Sequence, residues 1–459
     1  MKDDPAWIKD ACANLLHGPV WPERPFLTHG AASHAELYQL AARLYQRLAS
    51  PSKTTQDPVC LASDDKFLCA AAILCALAGG PPILMPYALS GQAMDALHSA
   101  TGFRRAITSK GLVPLPDSVE NIQVPDDLPL QSQPLPDRLN KGTLLYLFTG
   151  GSTGTPQLWS KTADNLLGEA LFIARHHGIT KEDRIAATIS SCHIYGLLYS
   201  VILPLVCGSA VVAETPVFPD EISKKLDEEQ ASVLISVPAH FRALRDKPLN
   251  NSVLRLAFSS AGRLEKDDNY TFCQANNLGI TEIYGSTETG GIATRNRFHG
   301  EHFFSILPGV DWQIGTGERL QVHSPFLSPE LPRDKAGYFQ TADRVQNQGK
   351  NRFSLLGRVD AIAKVAGKRV DMEEIRFYIS QLPEVRYCLV LALPDSGSRG
   401  NRIVALIESD SSTPEFIRKH LVQCLEPYAL PKVLKLVSQM PMKANGKYDR
   451  EAILALVSS

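Results

Sequence analysis

Apolar residues along the chain recur with two alternating periods. Over 33–48, Leu37, Leu40, Ala41 and Leu44 fall at helical spacing, and Ser33 stands where an N-cap belongs. Pro58-Val59-Cys60-Leu61-Ala62 is an apolar run of strand length. Phe67–Ala78 is apolar all round and reads as a buried helix, and Ile83-Leu84-Met85 reads as a strand. The alternation returns with a helix near Leu166–His176, a strand at Arg184–Thr188, a helix near 195–206 and a strand at Ala210-Val211-Val212. A further unit follows: strand Ala231–Val237, helix Pro238–Arg245, strand Leu254–Phe258. Strand–helix–strand alternation predicts an α/β chain of layered, mostly parallel sheets, with ligands at the carboxyl ends of the strands. The segment 113–140, with Pro114, Pro116, Pro125, Pro129, Pro134 and Pro136, reads as an irregular connection. From about 300 the pattern shortens into turn-punctuated pieces such as Trp312-Gln313-Ile314, Arg319–His323 and Gly337-Tyr338-Phe339, which predict a small β-barrel. After Gly357-Arg358-Val359-Asp360 mixed α and β returns over about a hundred residues, the size of a small separate domain.

Composition narrows the classes. At 459 residues the chain is long enough for two or three domains, and 44% hydrophobic with 21% charged residues is ordinary globular usage. A net charge of −1 provides no attraction for nucleic acid or an anionic membrane. Nine cysteines without a CxxC pair read as reduced thiols in a cytoplasmic protein, not as metal ligands. The opening MKDDPAWIKD lacks the apolar stretch of a signal peptide. The run Phe67–Pro86 is broken by Gly79-Gly80-Pro81-Pro82, which leaves a helix too short to span a bilayer.

The chemistry concentrates in five stretches. The apolar run Leu144–Phe148 opens into Thr149-Gly150-Gly151-Ser152-Thr153-Gly154-Thr155-Pro156. Its glycines let backbone approach a ligand, and its hydroxyls and N–H groups suit a polyphosphate. It is not the P-loop NTPase motif, because Thr155-Pro156 follows Gly154 where that motif needs Lys-Ser/Thr. Ile283–Gly291 (IYGSTETGG) repeats the design with one carboxylate, Glu288, which makes sense beside phosphate if a divalent cation lies between. Thr341-Ala342-Asp343, Gly357-Arg358-Val359-Asp360 running into Lys364–Arg369, and Ala444-Asn445-Gly446-Lys447 complete the set.

In this order and spacing the five stretches resemble the adenylate-forming (AMP-binding) superfamily of acyl- and aryl-CoA synthetases, non-ribosomal peptide synthetase adenylation domains and luciferases. The resemblance covers nearly the whole chain, from about Phe26 to its last turn. It implies a large N-terminal adenylation domain over 1–357, a hinge at 358–361 and a small mobile α+β lid over 362–459. It also implies ATP and Mg²⁺ as cofactors. Thr149, Gly151, Ser152, Thr153 and Gly154 match the loop holding the β- and γ-phosphates. Ser260, Ala261 and Gly262 match the backbone along adenine, with Tyr284 stacking on the base. Thr287 matches the hydroxyl at the α-phosphate and Glu288 the Mg²⁺ carboxylate. Asp343 matches the ribose-binding carboxylate with Arg358 beside it, and Asp360 the hinge. Lys447 matches the lysine bridging substrate carboxylate and α-phosphate, while Lys364 and Gly367 match the face that builds the thiol channel. The chain departs from the family at Gly150, at Ala342, at Ala163 in place of a histidine, and at Gln157 in place of a lysine, a charge for which Lys161 is the candidate replacement.

Substrate class follows from one missing charge. Amino-acid-activating members place an aspartate near Cys192, and a buried ammonium without such a partner is costly. Ser190–Leu197 (SSCHIYGL) has none and is similar to the acyl- and aryl-acid branch. His193 then lines the acid pocket, with Val237, His240, Phe241 and Ser259 as further walls. The expected acceptor is the phosphopantetheine thiol of CoA or of an acyl carrier protein, towards which the short N-terminal third leans. Arg399, Arg402 and Arg418-Lys419-His420 are candidate contacts for it. The alternatives are a non-catalytic sensor of ATP or acyl-AMP, and amino-acid adenylation.

Overall fold

The computed structural model describes residues 6–30, 32–49, 57–109, 113–123, 134–149, 157–365, 368–394, 401–442 and 448–458. Gly151, Ser152, Thr153, Gly154, Gly367, Arg399 and Lys447 lie outside them, as do the side chains of Asp360 and Lys364. The chain divides into two compact units, 1–311 with 323–332, and 312–322 with 333–459.

The first unit is built on two sheets. One has six strands in the order Glu120–Gln123, Arg105–Thr108, Val59–Ala62, Ile83–Met85, Thr143–Thr149 and Gln157–Thr162. All of its pairs are parallel except the last, the hairpin that flanks the Gly/Ser/Thr stretch. The second carries six parallel strands, Ile280–Ser286, Leu256–Ser259, Val233–Ser236, Arg184–Ala187, Ala210–Val211 and Pro25–Leu27. Antiparallel strands Gly290–Asn296 and Phe304–Ile306 extend it at one end, and Ala32–Ser33 at the other.

The apolar run at 67–78 is the helix Lys66–Leu77, buried along its length and packed in one core with residues of both sheets. A helix apolar on every face is stable only in such a position. Among the described residues no helix is long and apolar enough to cross a membrane. Ser33 caps the helix His34–Leu48 as expected: its side chain accepts from Glu36 N–H while Glu36 receives the Ser33 N–H, closing a capping box. The helical reading near 195–206 holds with a local change of register. Between Ile194–Leu197 and Leu203–Cys207 lies a π turn, Leu198–Ile202, in which Leu203 N–H reaches back to Leu198 O. Pro204 has no N–H to give the carbonyl one turn back, which accounts for the widened turn. The helix begins hard against Ser190, where a Cβ on Gly196 would lie 2.2 Å from the Ser190 carbonyl oxygen.

Two elements stand where periodicity did not place them. Ala6–Leu16 is a helix that buries Ile8, Cys12 and Leu16, and Glu120–Gln123 is an edge strand inside the proline-rich stretch. In the second unit, Asp311–Ile314, Arg319–His323, Phe339–Asn347 and Arg352–Arg358 form an antiparallel meander. The rest is α+β: strands Tyr387–Pro394, Asn401–Glu408 and Val433–Val437 form one sheet, with helices Met372–Ile379 and Pro414–Cys424 packed in its core.

Candidate active site

The candidate residues fall into two groups, one in each unit. In the first unit they sit where neighbouring parallel strands end. Strand Leu256–Ser259 runs out into Ser260-Ala261-Gly262, and Ala261 adopts φ +67°, a left-handed conformation uncommon for a residue with a side chain. Ser260 Oγ ties this turn to the next strand by donating to Ile283 O at 3.0 Å. Such strained backbone persists only where its surroundings hold it, and it clusters at ligand sites.

One strand over, Ile280–Ser286 turns back into Gly290–Asn296 through the tip Thr287-Glu288-Thr289. The turn is closed by its own hydroxyls: Ser286 N–H donates to Thr289 Oγ1 at 3.0 Å, and the two hydroxyls lie 2.9 Å apart. Thr287 and Glu288 are thereby left partly exposed at the tip. A Cβ on Gly285 would meet Gly290 O at 2.3 Å, and Gly290 itself has φ +67°. Only glycine lets the two limbs approach this closely. Tyr284 sits just before the turn with its ring 5.7 Å from that of Phe304.

The turn is also gripped from behind. Glu169, buried on the helix Ala163–His177, accepts from Gly291 N–H at 2.7 Å. Ser328 N–H donates to Glu288 O at 2.8 Å. Lys161, proposed above as a replacement for the missing lysine at 157, is only 1% exposed and its Nζ donates to Phe326 O at 3.2 Å. Its ammonium therefore points into the protein, and the replacement reading is corrected. Burial pushes the Lys161 ammonium down, opposed by the carboxylates of Glu169, Glu288 and Glu330. Burial pushes the Glu169 carboxyl up, opposed by Lys161 and the Gly291 N–H.

Of the five expected pocket residues, His193 is partly exposed at the start of the helix at 194, whereas Val237, His240, Phe241 and Ser259 are buried. Phe241 packs edge-on against Phe272 in the core, with centroids 5.0 Å apart. His240 Nδ1 lies 2.7 Å from Thr188 Oγ1, which lies 2.8 Å from Ser236 Oγ. Burial lowers the His240 imidazole to about 4, so it is neutral near pH 7. Cys192 is buried, and burial pushes its thiol up to about 11.

In the second unit, Asp343 and Arg358 are registered partners on adjacent strands, with Arg358 Nη1 3.6 Å from Asp343 Oδ1. Thr341 is buried: its hydroxyl donates to Leu320 O at 3.1 Å and accepts from Asp343 N–H at 3.2 Å. It thus sets the strand that presents the aspartate. Arg344 joins the meander to the strand at 368–371 through Asp371 at 2.7 Å and Glu318 at 2.9 Å.

Among the described residues no three His, Cys, Asp or Glu side chains converge on a metal site. One carboxylate and one hydroxyl on a hydrogen-bonded tip form a different donor set. Mg²⁺ commonly uses such a set when substrate phosphates and water complete its shell, so Thr287 and Glu288 fit it.

Comparison with known proteins agrees with this layout. A profile of the AMP-binding enzyme family matches residues 17–317, and one of the AMP-binding enzyme C-terminal domain matches 375–447. Sulfoacetate–CoA ligase of Cupriavidus necator is 24% identical over 352 residues, covering 70% of this chain and 69% of the relative. Anthranilate–CoA ligase of Pseudomonas aeruginosa is 27% identical over 346 residues, covering 68% of this chain and 66% of the relative. Among solved structures, ATP-bound MatB from Rhodopseudomonas palustris superposes with a TM-score of 0.81 at 19% identity, covering 96% of this chain and 97% of that one. The AMP complex of the Bacillus subtilis o-succinylbenzoate CoA synthetase, MenE, gives 0.79 at 16% identity, covering 98% of each chain. These likenesses show the expected mixed α/β fold with a large N-terminal and a small C-terminal domain, and the profile matching well over half of the sequence shows the kinship: the chain belongs to the AMP-binding, adenylate-forming enzyme family.

Proposed function

We propose that this protein is an AMP-forming acid–thiol ligase acting on an aryl or acyl carboxylic acid. The acid's carboxylate attacks the α-phosphorus of ATP and pyrophosphate leaves; a phosphopantetheine thiol then takes the acyl group and AMP leaves. The observation that supports this reading most is the turn Ser286–Gly291. Its glycines, internal hydroxyl bonds and rear anchors hold one carboxylate and one hydroxyl at a partly exposed tip. In this reading Thr287 meets the α-phosphate and Glu288 holds Mg²⁺, which supplies positive charge to the phosphates. Thr149, Gly151, Ser152, Thr153 and Gly154 cradle the β- and γ-phosphates, Ser260, Ala261, Gly262 and Tyr284 bind adenine, and Asp343 with Arg358 binds ribose. Lys447 neutralises charge as the two anions approach, which is where electrostatic catalysis contributes most. The small domain then turns about Asp360 and presents Lys364 and Gly367 to the incoming thiol, a gating motion of a common kind.

The named relatives act on acids as unlike as sulfoacetate and anthranilate. The absence of an acid side chain at the buried Cys192 argues against amino acids, and the partly exposed His193 is the residue to which we assign contact with the acid. CoA is the acceptor named for these relatives, and an acyl carrier protein presents the same thiol. One observation favours a second reading: with Gln157 uncharged and Lys161 turned inward, the strand after the phosphate stretch carries no lysine towards a leaving pyrophosphate, as suits a sensor that binds ATP without turnover. ATP–pyrophosphate exchange across aryl, medium-chain, long-chain and amino acids separates the two. The ligase exchanges label with an aryl or acyl acid. Nucleotide binding without exchange for any acid would replace the ligase reading with the sensor.

A further inference from the structure

We propose that Lys161 and Glu169 are positioning residues that fix the backbone carrying Glu288, and so set how strongly Mg²⁺ tightens nucleotide binding. The inference rests on the assignment of Glu288 as the Mg²⁺ carboxylate.

Two grips converge on the turn. The first is direct. Glu169 Oε1 accepts from Gly291 N–H at 2.7 Å, and its carboxylate lies close against Gly290 and Gly291. A Cβ on Gly290 would sit 2.8 Å from Oε2, and one on Gly291 would sit 3.3 Å from Oε1. The double glycine is therefore the seat of a buried carboxylate as well as the end of a tight turn. The second grip runs through the segment 325–330. Asn165 Nδ2 donates to Pro325 O at 2.7 Å and to Leu327 O at 3.2 Å, and Lys161 Nζ donates to Phe326 O at 3.2 Å. Ser160 donates to Glu330 through both its N–H and its hydroxyl, each at 2.6 Å. From this segment Ser328 N–H donates to Glu288 O at 2.8 Å.

Every anchor on the near side comes from the strand Gln157–Thr162 or the helix that follows it, immediately downstream of the Gly/Ser/Thr stretch. Strand and helix thus hold both ends of the acidic turn, Glu288 O and Gly291 N–H. Lys161 has a second role here. Its ammonium is the buried positive charge among Glu169, Glu288 and Glu330, and a buried carboxylate without such a charge is costly. Lys161 and the Gly291 N–H both oppose the upward push that burial gives the Glu169 carboxyl.

The test measures affinity for α,β-methylene-ATP, which cannot be cleaved at the reacting bond, by titration calorimetry without any acid substrate. Each protein is titrated in excess Mg²⁺ and again in EDTA, and the ratio of the two affinities is the metal coupling. Lys161→Met and the neutral pair K161M/E169Q are expected to lower that ratio about tenfold, the range seen when groups orienting a metal ligand are removed. Affinity in EDTA should stay within about twofold of the unaltered protein. The neutral pair leaves no unbalanced buried charge, so it keeps the question open to measurement if Lys161→Met fails to fold. Unchanged coupling in the neutral pair overturns the inference, as does an equal fall in EDTA, which would mean general damage to the nucleotide site. Increased coupling also overturns it, because Lys161 would then act only by repelling the cation. Glu288→Gln is the control: lost coupling there with normal coupling in the neutral pair refutes the inference alone. Normal coupling in Glu288→Gln refutes the assignment of Glu288, and the inference with it.

Discussion

Replacing Gly285 by alanine tests whether the geometry of the acidic turn matters to the proposed chemistry. The added Cβ would lie 2.3 Å from Gly290 O, 3.0 Å from Gly290 C and 3.0 Å from Gly291 Cα. All three are backbone atoms of the paired strand, so no side chain can rotate away. Ordinary contact needs about 3.5 Å, so the limbs must part by about 1 Å. That opens the pairs Gly285↔Gly291 and Ser286↔Gly290, which frame the tip. Overpacking of this kind costs about 1–3 kcal/mol of stability. Its effect on rate should be larger, because misplacing a catalytic group by about 1 Å can cost about a hundredfold. The expected result is a folded protein with a modestly lowered Tm and acid-dependent ATP–pyrophosphate exchange reduced about a hundredfold. Gly91→Ala is the matched control: its Cβ would meet Pro114 Cβ at an ordinary 3.5 Å, at the start of a helix away from the turn. That variant should exchange normally and melt no lower. If Gly285→Ala kept both normal exchange and normal Tm, the turn would be neither tight nor needed.

Further outcomes follow from charges and motifs elsewhere. Burial lowers the imidazoles of His34, His177 and His240 to about 4. Between about pH 6.5 and 4 the unfolded chain binds protons there that the folded chain does not, so their stabilisation is complete above 6.5 and lost with acid. Each should contribute a slope of about 1.4 kcal/mol per pH unit, and His240→Gln should remove one such share from a pH series of denaturant unfolding curves. Burial pushes the Asp183 carboxyl up, but Arg255, Thr180 N–H and Ser232 outweigh it and hold it below its ordinary value. That contribution is present above about pH 4 and lost as pH falls through the folded value. Arg255→Met should therefore cost about 2 kcal/mol at pH 7, discounted because Arg255 is partly open to solvent, and the deficit should shrink below about pH 4. Lys447→Ala should lower exchange by about 10²–10³ while nucleotide still binds in calorimetry. Asp360→Pro should spare exchange and impair thioester formation; equal loss of both steps would count against a hinge there.

What could be read from the chain and what could not differ in physical kind. The alternating strands, the all-apolar helix at Lys66–Leu77 and the Ser33 capping box are local: each needs only neighbours in sequence, so period and residue type suffice. The glycines of IYGSTETGG and HIYGL are legible for a related reason. At Gly196 and Gly285 a Cβ would meet backbone only a few residues away, and no other residue type fits. The spacing of Ile8, Cys12 and Leu16 is equally local and marks the first helix. The network behind Glu288 is another matter. Lys161, Asn165, Glu169 and Glu330 are residue types that usually face water, and their partners at 288–291 and 325–330 lie more than a hundred residues from the strand and helix that hold them. No periodicity marks such a pairing, which is why Lys161 read as a surface charge available to pyrophosphate when its ammonium is in fact turned onto a carbonyl inside the protein. The glycines at the end of the turn meet the same network. Gly290 and Gly291 carry a buried carboxylate on their backbone, so a side chain there would unseat Glu169 and the turn together. The backbone of these two glycines is a binding surface for the rest of the protein, and it lies beside the proposed metal carboxylate.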